Sequence, residues 1–203
     1  FEKIKKDEIS IIGDPIIDVY NFCKLSGLTS KDPAISTILE SQKKIAGGVI
    51  PIAQMMSKFF RKINLITYGD NAKLKIFLKN YKNVKIINLN SKIQIQEKIR
   101  FLNSNRFEKL LQVSNYKNVK LDGLKNIKKI KSFLKKQKKI LICDYGIGLF
   151  NKYFTQYINI VKKDKFINTQ TNSLNTGENL FTKFNNCKYI SLDLREWQLG
   201  MND

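Results

Sequence analysis

Histidine is absent from these 203 residues, so any chemistry must run on carboxylates, backbone amides, Lys and Arg, with a bound cation where one is held. The first acid-bearing pattern is Gly13-Asp14-Pro15-Ile16-Ile17-Asp18, directly after the apolar run Ile9-Ser10-Ile11-Ile12. A strand that ends in Gly-Asp, with a second acid four residues on, puts a carboxylate at the carboxyl edge of a sheet. An ionised carboxylate accepts hydrogen bonds from two vicinal hydroxyls, so Asp18 suits a polyhydroxylated ligand. The second pattern, Gly47-Gly48, opens the apolar stretch Val49 to Phe60. A double glycine at a helix start lets a ligand approach bare backbone and meet N–H groups. The plain alternative is that Asp14 or Asp18 caps a turn.

Three further sets carry charge at useful spacings. Lys98 and Arg100 alternate onto one face of an extended segment and can clamp a phosphate, or can simply lie on an exposed strand. Asp144-Tyr145-Gly146-Ile147-Gly148 follows the apolar run Ile140 to Cys143. An acid there is placed to approach a phosphoryl group or its Mg²⁺, or to cap the helix that begins near Asn151. Asp193 and Glu196 are three residues apart, on one side of a helix's first turn. Such a pair can hold a hydrated Mg²⁺ near a nucleotide's phosphates, although acids also favour first turns for dipole reasons.

These residues must be positioned by an alternation of strands and helices. Strands are predicted at 9–13, 63–67, 84–89, 140–143, 165–168 and 189–192, and helices at 45–60, 72–81, 121–136 and 153–161. Continuous apolar strands between amphipathic helices imply a doubly wound, mostly parallel α/β sheet with helices on both faces. Four other segments interrupt that rhythm, at about 17–23, 34–41, 93–102 and 107–113. The last two read as a hairpin turning at Asn103-Ser104-Asn105. Together the four suggest a small separate β-sheet, a lid that would exclude water from the carboxyl edge.

The formal net charge is +20, which admits a nucleic-acid partner. Two features favour a plainer reading. Only four of the basic residues are Arg, and 82 of the 203 residues are Lys, Ile or Asn, a bias spread over the whole chain. The densest lysine run, Lys125 to Lys139, reads as the solvated face of a helix whose apolar side is Leu124, Ile127, Ile130, Phe133 and Leu134. Cys23, Cys143 and Cys187 form no CxxC pair, which fits a reducing, cytoplasmic setting. No apolar run approaches the roughly 20 residues of a membrane helix. The first residue is Phe1, so a piece of a longer chain is expected.

In order, the motifs are Gly-Asp-x-x-x-Asp, a flap strand, Gly-Gly, a Lys-x-Arg flap strand, Asp-Tyr-Gly-x-Gly and a terminal Asp-x-x-Glu. This order resembles the ribokinase-like (PfkB) carbohydrate kinases, from about Ile9 to Leu199. Within them it is most similar to the heptose-phosphate kinase branch of surface polysaccharide synthesis. The stretches Tyr20-Asn21-Phe22-Cys23 to Ser30-Lys31-Asp32-Pro33 and Asn168-Thr169-Gln170-Thr171-Asn172-Ser173 look like a subgroup fused to a nucleotidyltransferase domain. The resemblance implies one ribokinase-like domain over 1–203, incomplete at its end. It implies ATP- and Mg²⁺-dependent phosphoryl transfer to a sugar or sugar-phosphate hydroxyl, and a homodimer formed through the β lid. Asp14, Asp18, Gly47 and Gly48 would bind sugar, and Lys98 and Arg100 the substrate phosphate. Asp144, Asp193 and Glu196 would lie near phosphates and Mg²⁺. Three positions depart from the pattern: Pro51 stands for a sugar-binding Asn, Ile147 for a His, and Asp193 for an Asn. The family's Gly-Ala-Gly-Asp motif, with the catalytic base and the ATP-adenine pocket, is expected beyond Asp203. Residues 1–203 alone are therefore expected to bind weakly without turnover. A non-catalytic sugar-binding or assembly module is the alternative, with nucleic-acid binding through the lysine surface as a third.

Overall fold

The computed structural model describes residues 7–115, 119–171 and 175–201. Asn172 and Ser173, at the end of the second resemblance stretch, lie outside the described residues. In chain order the elements are strands β1 (Glu8–Gly13), β2 (Pro15–Leu28) and β3 (Ile35–Gly48), helix α1 (Val49–Met56), β4 (Lys62–Thr67), α2 (Asn71–Leu78), β5 (Val84–Asn88), β6 (Gln96–Asn103), β7 (Lys109–Ser114), α3 (Gly123–Lys136), β8 (Lys139–Asp144), α4 (Lys152–Ile160), β9 (Asp164–Thr169), β10 (Tyr189–Ser191) and α5 (Leu194–Met201). They fall into two compact units. One comprises Phe1–Pro15, Gly48–Ile95 and Asn118–Asp203, the other Ile16–Gly47 and Gln96–Lys117.

The first unit is a doubly wound α/β sheet of six parallel strands in the order β10-β9-β8-β1-β4-β5. Its strands are the continuous apolar runs of the sequence. Ile11, Ile12, Ile63, Leu65, Ile66, Ile140 and Ile142 have no exposed surface, and each such side chain contributes about 1.5–3 kcal/mol by burial. From β1 the chain winds outward through β4 to β5, and later from β8 outward through β9 to β10. Right-handed crossovers in opposite directions put helices on opposite faces. Accordingly α1 packs with α2, and α3 with α4. The winding reverses between β1 and β8, which is where ligands bind in such sheets.

Side chains set the helix starts. Asp70, Asp122 and Asn151 accept from the N–H groups of Lys73, Lys125 and Phe154 at 2.9, 3.0 and 3.1 Å, each worth about 1 kcal/mol as an N-cap. On α3, Ile130 and Leu134 are buried as expected, but Leu124 is 64% exposed and Asn126 takes the buried place.

The second unit is a four-stranded sheet in the order β3-β2-β6-β7. β2 and β6 are parallel and β6 and β7 antiparallel, so a small mixed sheet does stand apart from the main one. Its strands differ from the expected bounds. β6 starts at Gln96, with Ile95 buried in the first unit. Phe107 is not in a strand: at φ 56° it closes the turn, donating its N–H to the Asn103 carbonyl at 2.7 Å. The largest correction is the expected helix over 45–60. Residues 45–48 continue β3, and the helix occupies only Val49–Met56. Gly48, at φ 60° and ψ −133°, makes the break, a conformation that a side chain at this position would oppose.

Candidate functional site

The sequence-predicted residues divide between the two units. In the first, Asp14 follows β1 and Asp144 ends β8, so both lie at the switch point. Asp14 is fully buried and Asp144 is 1% exposed. Asp14 Oδ1 accepts from the Tyr68 hydroxyl at 3.1 Å, and Oδ2 from the Tyr145 N–H at 3.2 Å. Burial, then the charge of Asp144, push its carboxyl up from 3.8 to about 7, against the hydrogen bonds from Tyr145, Tyr68 and the Leu149 backbone. Asp14 is therefore more than a turn cap. The same surroundings, burial first, push the neighbouring Cys143 thiol up.

Asp144 does not cap α4, because Asn151 does that. Its Oδ1 accepts from the Gly146 N–H at 2.9 Å, and its Oδ2 lies 2.5 Å from Lys183 Nζ. Two asparagines brace the loop that follows. Asn175 Nδ2 donates to the Tyr145 carbonyl at 3.2 Å, and Asn179 Nδ2 to the Gln170 carbonyl at 3.0 Å. Lys183, Asn175 and Asn179 are absent from the sequence reading. They occupy no motif, and Lys183 is one of 33 lysines.

Gly48 precedes α1, whose first N–H, on Val49, donates to the Asp14 carbonyl at 2.9 Å. Pro51 has no N–H to offer, so Ile50 supplies the remaining first-turn donor. This start is a much poorer anion cradle than a double glycine suggests.

Asp193 and Glu196 form a reciprocal capping box. Asp193 Oδ1 accepts from the Glu196 N–H at 2.7 Å, and Glu196 Oε2 from the Asp193 N–H at 2.9 Å. Glu196 Oε1 accepts from the Thr171 N–H at 3.1 Å. Both oxygens of Glu196 are thus engaged, and Asp193 Oδ2 is the acid oxygen left over. Among the described residues no group of three or more His, Cys, Asp or Glu is gathered to hold a metal. These residues fit Mg²⁺ only through Asp193 and an intervening water.

The second unit gathers the other four residues. In the β2–β6 register Asp18 lies opposite Lys98 and Tyr20 opposite Arg100. Arg100 Nη1 is 2.5 Å from Asp18 Oδ1, with the side chains 21% and 20% exposed, and its guanidinium stacks 5.2 Å from the Tyr20 ring centre. Lys98 is held below the usual lysine range by burial, against the pull of Asp18 and with the push of Arg100. Gly47 lies against Asp18: a Cβ there would come within 2.5 Å of Oδ2. One acid and two cations on one face leave a net positive patch suited to an anionic polyol.

No protein-family model matches the chain, and no curated protein does. Solved structures do match. A carbohydrate kinase from Agrobacterium tumefaciens superposes with TM-score 0.67 at 10% identity, over 96% of this chain and 63% of that one. The tetrameric inhibited form of phosphofructokinase-2 from Escherichia coli gives 0.66 at 13%, over 97% and 64%. Ribokinase from Cryptococcus neoformans var. grubii serotype A, in complex with ADP, gives 0.56 at 13%, over 88% and 55%. The chain thus spans 55–64% of the length of these three structures. Its α/β architecture, with a six-stranded parallel sheet and a second small mixed sheet, is the ribokinase-like fold that those kinases share.

Proposed function

We propose that this chain is the sugar-binding part of an ATP-dependent kinase that phosphorylates a hydroxyl of a sugar or sugar phosphate, with heptose phosphate as the favoured class. The observation that carries the reading is the Asp18–Arg100–Lys98 set, with Gly47 packed on the carboxylate. Asp18 would take vicinal hydroxyls, and Lys98 and Arg100 the substrate's phosphate. Asp14 and Gly48 would also serve the sugar, and Asp144 the phosphoryl-transfer side. The three structures named above are a carbohydrate kinase, a phosphofructokinase and a ribokinase, and the ribokinase is in complex with ADP. ATP would supply the phosphoryl group, and Mg²⁺ would neutralise its charge, with Asp193 and Glu196 nearby.

The small sheet would also serve as lid and homodimer contact. Leu28, Ile35, Ile38, Leu39 and Leu111 on it, and Phe107 in its turn, are exposed, a density of bare apolar surface that favours an interface. A fused nucleotidyltransferase domain and a cytoplasmic setting belong to the same proposal. Among the described residues no helix is long and apolar enough to cross a membrane.

A second reading, a non-catalytic sugar-binding module, draws support from the capping box, which occupies the acids that would otherwise serve Mg²⁺. Calorimetric titration with free sugars and their phosphates tests the binding common to both. Sugar phosphates should bind, Asp18→Asn and Lys98→Met should each weaken them, and free sugars should bind less well. Failure of every sugar to bind rejects both readings. ADP release coupled to sugar, measured on a protein carrying the chain, separates enzyme from module.

A further inference from the structure

Asp14 and Asp144 are both buried at the switch point, and Lys183 reaches Asp144. Lys183 Nζ lies 2.5 Å from Asp144 Oδ2 and 2.5 Å from Asn179 Oδ1. The Asn179 amide cannot be turned round, because its Nδ2 already donates to the Gln170 carbonyl and, at 3.4 Å, to that of Asp144. Its oxygen therefore faces the ammonium, fixed by two backbone carbonyls. The Phe184 ring lies 5.4 Å away on another side. An ammonium carries three N–H donors. Asn179 Oδ1 accepts one, and Asp144 Oδ2 is held by charge alone. The Lys183 side chain is 28% exposed while that of Asp144 is 1% exposed, so a ligand can reach the lysine and not the carboxylate behind it.

The charge balance also suits an anion. Lys183 offsets the charge of Asp144, and burial together with Asp144 raises the Asp14 carboxyl to about 7, so it is only partly charged near neutral pH. A phosphate arriving at this edge meets an ammonium rather than two bare carboxylates.

We infer that Lys183 contacts a phosphate group bound at the carboxyl edge between β1 and β8, with Asp144 and Asn179 holding its ammonium in place. The inference rests on the kinase reading and adds a residue to it. The phosphate belongs either to the nucleotide or to a phosphorylated substrate, and the two sources are separable.

The test compares the protein with its Asp144→Asn/Lys183→Met double variant by calorimetry, using ATP with Mg²⁺ and, separately, sedoheptulose 7-phosphate. Removing both charges avoids leaving Asp144 buried and unpaired, so the double variant should melt close to the parent. Affinity for the probe whose phosphate meets Lys183 should fall by about ten- to a hundredfold, the loss of one charge-assisted hydrogen bond. Lys183→Arg, which keeps the charge, should recover part of it. A fall for ATP assigns the nucleotide, and a fall for the heptose phosphate assigns the substrate and takes its phosphate away from Lys98 and Arg100. Unchanged affinity for both probes overturns the inference and leaves the kinase reading standing. Failure of the parent to bind either probe overturns both.

Discussion

Replacing Asp14 with Asn should remove most of the protein's stability change between pH 5 and pH 8. In the unfolded chain Asp14 ionises near 3.8, and in the folded protein near 7. Between those values the folded state holds a proton that the unfolded state has released. Stability from this group is therefore full below pH 3.8 and is lost as pH rises towards 7. At 1.36 kcal/mol per pKa unit the full span is about 4 kcal/mol. More than half of that falls between pH 5 and pH 8. The chain contains no His, so no ordinary side chain titrates in that window to obscure it. Tyr68, Asp144 and Cys143 surround the carboxyl. Asn is close in shape to a protonated Asp. Its oxygen can accept from the Tyr145 N–H, and its amide can donate to the Tyr68 hydroxyl, which can reverse its role. Urea unfolding at pH 5, 6, 7 and 8 should give a falling midpoint for the parent and a flat one for Asp14→Asn. An equally steep fall in the variant, or a flat parent, refutes the argument that burial beside Asp144 holds this proton.

Gly47→Ala should weaken sugar-phosphate binding about tenfold, an energy near 1.4 kcal/mol, because its methyl would come within 2.5 Å of Asp18 Oδ2; calorimetry beside a melting curve separates this from unfolding. Asn151→Ala should cost about 1–2 kcal/mol in urea unfolding, since it loses the α4 cap at 3.1 Å and the Nδ2 bond to the Leu121 carbonyl at 3.0 Å. Leu111→Lys, at a side chain exposed on β7, should shift a dimer to monomer in sedimentation without lowering the melting temperature. An unchanged sedimentation coefficient for a dimeric parent would remove the small sheet from the interface.

The main sheet was legible because its strands are buried on both faces. Runs such as Ile9 to Ile12 and Ile140 to Cys143 have no polar position for water to occupy, apart from Ser10. β3 was not legible beyond its first residues. It is an edge strand, exposed along Glu40 to Lys44, and with water on both sides its sequence carries no period of two. The misread start of α1 has the same root: Ile45 and Ala46 suit a helix as well as a strand, and only the backbone at Gly48 decides. At the switch point the acids were legible from their places after apolar strands. Their partners were not. Lys183 reaches Asp144 from 39 positions on, and no local spacing connects the two. The cap formed by Asp193 and Glu196 was readable as either ligand pair or helix start, because both uses ask for acids in a first turn.

The most direct test of the central claim is a crystal structure of the protein with a bound heptose phosphate. Ring hydroxyls should lie on Asp18 and the phosphate against Lys98 and Arg100. A sugar bound away from these residues, with Asp18 still closed on Arg100, would contradict it.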